Sequence, residues 1–103
     1  MKLKNGVSAR GIRPELVMAL GIADGVYRDN GASMTVTALV DSTHSRTSLH
    51  YSGCAADFRT NDISNAQAKK IVHELRGALG TSDFDVILES DHIHLEYQPK
   101  GEN

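Results

Sequence analysis

The chain has 103 residues, of which 40% are hydrophobic and 23% charged, an ordinary globular balance that excludes disordered and fibrous classes and leaves room for one domain with one core. Eleven Lys and Arg are scattered among thirteen Asp and Glu for a net charge of −2, so the clustered basic footprint of a nucleic-acid-binding protein is missing. A single cysteine excludes both an intramolecular disulfide framework and a cysteine-rich structural zinc site.

The first residues, Met1-Lys-Leu-Lys-Asn-Gly, carry positive charge without the apolar run of a signal peptide, and no stretch reaches transmembrane length. The expectation is a product made in the cytoplasm that does not insert into a membrane. Residues 1–10 and 99–103 read as loosely ordered tails of a single domain, monomeric by default.

A first helix is expected from Pro14, since proline suits the first helical position and Glu15 favours the positive end of the dipole. Leu16, Ala19, Leu20, Ala23, Val26 and Tyr27 recur at helical spacing until Asn30-Gly31 ends the run. Gly21 and Gly25 lie inside it and predict close packing of this helix on a sheet. From Ser33 to Val40, Met34, Val36, Ala38 and Val40 alternate with Thr35, Thr37 and Leu39, the pattern of a half-buried strand. The polar stretch from Asp41 to Ser48 reads as a loop, and Ala55 to Arg59 as a short strand carrying Asp57. A second helix follows, capped by Ser64 or Asn65, with Ala68, Ile71, Val72, Leu75, Ala78 and Leu79 on one face and Gly80 at its end. Phe84 to Leu88 and His92 to Tyr97 read as two strands around the turn Glu89-Ser-Asp91. The order helix, strand, strand, helix, strand, strand predicts an α+β fold with helices packed on a small antiparallel sheet.

His50, Asp57 and His94 are potential ligands of a catalytic zinc, which keeps three protein ligands from His, Asp or Glu and leaves a fourth position for water. Side chains two apart on a strand share a face, so His92 and His94 project together with Glu96 behind them. His73, beside Lys69 and Lys70 on the second helix, reads as a surface residue, and Cys54 as a small side chain between Gly53 and Ala55.

The run Ser48-x-His50-x-x-Gly53-x-Ala55-x-Asp57, followed by Asp91-x-x-His94-x-Glu96, resembles the two signatures of the peptidase M15 family of zinc peptidases. That family includes D-Ala-D-Ala carboxypeptidases and the L-alanyl-D-glutamate peptidases of phage endolysins. The resemblance implies one zinc ion on His50, Asp57 and His94, with Asp91 as general base and His92 beside the metal, steadying the transition state. It further implies a zinc D,D-peptidase-like fold, a peptidoglycan stem peptide or cross-link as substrate, and delivery to the wall by export, by lysis or on a virion. Arg46 and Ser48 flank the first ligand and are candidates for holding substrate, Arg46 through its guanidinium. Glu96 is placed to orient a ligand imidazole. Two alternatives stay open. In one, the register Glu89-x-x-His92 supplies ligand and base, with Asp91 pointing away unless the chain bends at Ser90-Asp91. In the other, the chain is a non-catalytic zinc-binding wall or virion structural module, or a zinc-containing regulator.

Overall fold

The computed structural model describes residues 1–41, 54–80 and 83–98. The elements are β1 (Lys2–Leu3), α1 (Pro14–Asp29), β2 (Thr35–Asp41), β3 (Cys54–Arg59), α2 (Asn65–Leu79), β4 (Phe84–Leu88) and β5 (His92–Tyr97). They form one five-stranded sheet in the order β1-β2-β3-β5-β4. The α+β class stands, with two corrections. The order opens on a strand, because Lys2 and Leu3, expected in a loose tail, pair with Thr35 and Val36. That pairing is parallel, so the sheet is mixed and not wholly antiparallel.

The helices start and stop where local chemistry dictates. Pro14 opens α1 with Glu15 in its first turn, and Ser64 caps α2 by accepting the Gln67 amide at 3.0 Å. Gly80 ends α2 in the left-handed conformation, φ 58°, which favours a residue without a Cβ. The apolar stripes of both helices meet the same face of the sheet, where Leu16, Tyr27, Val36, Phe58, Ile71, Leu75, Ile93 and Leu95 are fully buried. Tyr27 and Phe58 stack edge to face, 6.2 Å apart, at the centre of this layer. Ala78, expected on the buried face of α2, is exposed. The ends of the helices are tied together by Asn30, whose amide donates to Glu74 at 2.9 Å and whose carbonyl accepts from Gln67 at 2.6 Å.

Two further expectations are corrected. A Cβ built on Gly21 meets nothing within 4 Å and one on Gly25 meets only Arg28 at 4.0 Å, so neither glycine serves close packing. The alternation in β2 breaks as well. Val36 pairs with Phe58 but Ala38 pairs with Asp57, so Thr37 is an extra residue in a β-bulge. Beyond it the phase inverts. Leu39, opposite the buried Ala56, packs on the core, and Ala38 shares the other face with Asp57. No helix among the described residues is long and apolar enough to cross a membrane.

Gly21→Ala is expected to raise stability by about 0.5–1 kcal/mol, because the exposed helix gains alanine propensity without a clash. Gly80→Ala is expected to lower it by about 1 kcal/mol through the strained left-handed cap. Thermal unfolding of both variants, with midpoints moving in opposite directions, checks this.

Candidate metal centre

Both helices lie on one face of the sheet, so alternate residues of the central strands are left for the other face. On β5 the buried residues are Ile93, Leu95 and Tyr97, which turns His92, His94 and Glu96 to the opposite side. On β3 the burial of Ala56 and Phe58 does the same for Ala55, Asp57 and Arg59. The antiparallel register then pairs Asp57 with His94 and Arg59 with His92. Directly opposed residues have Cβ atoms about 4.5–5.5 Å apart, so contact between the Asp57 and His94 side chains follows from backbone pairing.

His94 Nδ1 lies 2.8 Å from Asp57 Oδ1, and its Nε2 lies 3.0 Å from Glu96 Oε1. The ring is thus held between two carboxylates. Partial burial pushes its pKa down, but the hydrogen bonds to Glu96 and Asp57, with their charges, outweigh burial and raise it above the ordinary histidine value. With both ring nitrogens facing carboxylates, the arrangement favours the imidazolium form, which donates to both.

His92 stands beside this pair, with Nε2 3.8 Å from Asp57 Oδ1 and Nδ1 2.7 Å from Asp91 Oδ1. The bend expected at Ser90-Asp91 is present: β5 begins at His92, and the Glu89 amide donates to the His92 carbonyl at 2.8 Å to close the turn. Asp91 therefore sits in the turn and not in the strand, which lets its carboxylate reach the neighbouring ring. That hydrogen bond lowers the Asp91 pKa below the ordinary carboxylate value. Glu89 is exposed and contributes its backbone to this turn.

The ligating atoms of Asp57, His92 and His94 all lie within 4.8 Å of one another. Two ligands of one tetrahedral zinc are separated by roughly 3.4 Å, given zinc–ligand bonds of about 2.0–2.2 Å. The observed separations from Asp57 Oδ1, 2.8 Å to His94 and 3.8 Å to His92, bracket that value. The donor set of two imidazoles and a carboxylate suits a borderline cation such as zinc, and Asp91 and Glu96 on the remaining ring nitrogens are the partners that orient ligating histidines. The residues thus fit a metal ion. Of the expected ligands, Asp57 and His94 are brought together, while His50, Arg46 and Ser48 lie outside the described residues.

Next to the cluster is a pocket of about 290 Å³ lined by Lys4, Thr37, Asp57, Arg59, Asn61, Asp91 and His92. Lys4, Thr37, Arg59 and Asn61 were not among the candidates from sequence. Arg59 had a readable signal, since it lies two positions beyond Asp57 on the same strand and so on the same face. Lys4 and Thr37 arrive through the parallel pairing of β1 and the bulge in β2, which leave no local pattern. The chain matches no known family model, and no characterised protein or solved structure is significantly similar to it.

In the metal-free protein, NMR titration of His94 is expected to give a midpoint above the ordinary 6.5, and Glu96→Gln or Asp57→Asn to lower it. Because the folded value exceeds the unfolded one, this pairing stabilises the fold fully below about pH 6.5, and the stabilisation is lost as pH rises through the folded value.

Proposed function

We propose that the protein is a zinc-dependent peptidase that hydrolyses peptide bonds in peptidoglycan stem peptides or cross-links. The observation that carries the metal half of this reading is the convergence of Asp57, His92 and His94 on one point of the sheet face not covered by the helices. The substrate half rests on the resemblance to the M15 peptidases, whose two signatures run through Asp57 and through Asp91 to Glu96.

Asp57 and His94 are ligands both in the described geometry and in the family pattern, and one further histidine completes three. His92 is the one that the described geometry offers; His50 is the one that the family pattern offers. The two assignments give His92 opposite chemistry. As a ligand it presents a bare Nε2 while Nδ1–H donates to Asp91. With His50 in its place, Nε2–H of His92 is left to donate to the oxyanion that develops on the substrate carbonyl. A zinc ion held by these residues would supply a water acidified to a pKa of about 7 and would polarise the substrate carbonyl. With His50 as the third ligand, Asp91, which lines the pocket, is the carboxylate that would take up a proton at the site and return it to the leaving amine; with His92 as the ligand, Asp91 instead orients that imidazole. Glu96 holds His94 in place by accepting from Nε2.

Purified peptidoglycan incubated with the zinc-loaded protein is expected to release peptides detectable by mass analysis, and a chelator to stop the release. Asp57→Ala and His94→Ala are expected to lose both zinc and cleavage. Cleavage that persists in a chelated preparation overturns the proposal. His92→Ala separates the two assignments. Zinc affinity reduced by about tenfold to a hundredfold or more marks a ligand, whereas retained zinc with a fall in kcat of about a hundredfold marks an oxyanion donor.

A further inference from the structure

We propose that Lys4 and Arg59 form an anion subsite in the pocket beside the metal cluster and that it receives the terminal carboxylate of a peptide. Both cations line the same 290 Å³ pocket as Asp57, Asp91 and His92. Arg59 is the register partner of His92, one row along the sheet from Asp57 and His94. Lys4 follows β1, and its amide donates at 2.9 Å to the carbonyl of Val36, whose own register partner is Phe58, the neighbour of Arg59. Thr37, at the bulge, lines the same pocket, its hydroxyl donating to the Asp57 carbonyl at 3.4 Å. Neither Lys4 nor Arg59 forms an ion pair among the described residues.

The Arg59 backbone is fixed from the core. Tyr27 in α1, whose hydroxyl is kept protonated because burial raises its pKa, donates to the Arg59 carbonyl at 3.2 Å. A guanidinium on an anchored strand and an ammonium lining the same pocket suit a planar monoanion, to which arginine donates in bidentate fashion. The carboxylates of Asp57 and Asp91 in the same pocket oppose a phosphate dianion more strongly than a carboxylate. The pocket, about 290 Å³, is large enough for a single terminal residue. Resting on the peptidase reading for the identity of its ligand, the subsite assigns the enzyme to carboxypeptidases, which remove the last residue, over endopeptidases.

The test reads binding apart from hydrolysis. Labelled full-length protein, zinc-loaded and in parallel with chelator, is titrated by NMR with acetyl-D-alanyl-D-alanine, with its C-terminal amide and with inorganic phosphate. The acid is expected to bind at least tenfold more tightly than the amide in the chelated preparation, where the probe stays intact, and the zinc-loaded one reports whether it is cleaved. Arg59→Met and Lys4→Met should each remove most of that preference, and Arg59→Lys should keep part of it. Lys4 is exposed, so its variant remains informative if Arg59→Met does not fold. Equal binding of acid and amide, no binding of either, unchanged preference in the folded variants, or tighter binding of phosphate than of the peptide acid overturns the subsite. Preference for the acid without cleavage of any peptide overturns the peptidase reading and leaves the subsite standing.

Discussion

The antiparallel pairing of β3 with β5, which sets Asp57 opposite His94, is the constraint on which the candidate centre depends. A one-residue slip would turn one strand's side chains to the other face, separating Asp57 from both histidines and exposing either Phe58 or Ile93. The core enforces the register that the centre needs. Phe58 and Ile93 are themselves register partners and fully buried, so the apolar face and the polar face are specified by the same alignment. Burying such side chains contributes about 1.5–3 kcal/mol each, far more than an exposed ion pair of about 0–1 kcal/mol. The metal-free carboxylate–histidine pairs therefore occupy positions that hydrophobic burial has already determined.

The same division of labour explains the surroundings of the cluster. Both helices sit on one face, held by Tyr27 against Phe58 and by the Asn30, Glu74 and Gln67 contacts at their ends. Tyr27 extends this support to the polar side through the Arg59 carbonyl. The turn at Ser90-Asp91 then allows a residue next to the strand to reach round to a strand side chain, which a straight strand forbids. Around His94 and His92, Glu96 and Asp91 occupy the ring nitrogens away from the shared point, as oriented ligands require.

Much of this was legible in the sequence. The helices carried explicit start and stop chemistry in Pro14, Ser64 and Gly80, and their apolar stripes named the buried residues. Strict alternation from His92 to Tyr97 placed both histidines and Glu96 on one face, and the turn residues before it located the bend. What escaped was non-local or irregular. The bulge at Thr37 inverts a pattern that looks regular in sequence, which is why Leu39 turned out to face the core. A two-residue parallel strand has no periodicity to read, so Lys4 was assigned to a tail. Gly21 and Gly25 suggested close packing because a glycine in a helix has a cost, yet that cost is uncompensated by any neighbour within contact. The place of His92 beside Asp57 required the registers of two strands at once, which no single segment reveals.

The central claim is that the face shared by Asp57 and His94 is a metal site and not a self-contained ion-pair network. Crystals grown with zinc and measured across the zinc absorption edge address it directly. The account predicts an anomalous peak within bonding distance, about 2.0–2.2 Å, of an Asp57 oxygen and a His94 nitrogen, with the hydrogen bond between them broken. Saturating zinc with no peak there and the 2.8 Å Asp57–His94 contact intact would contradict it.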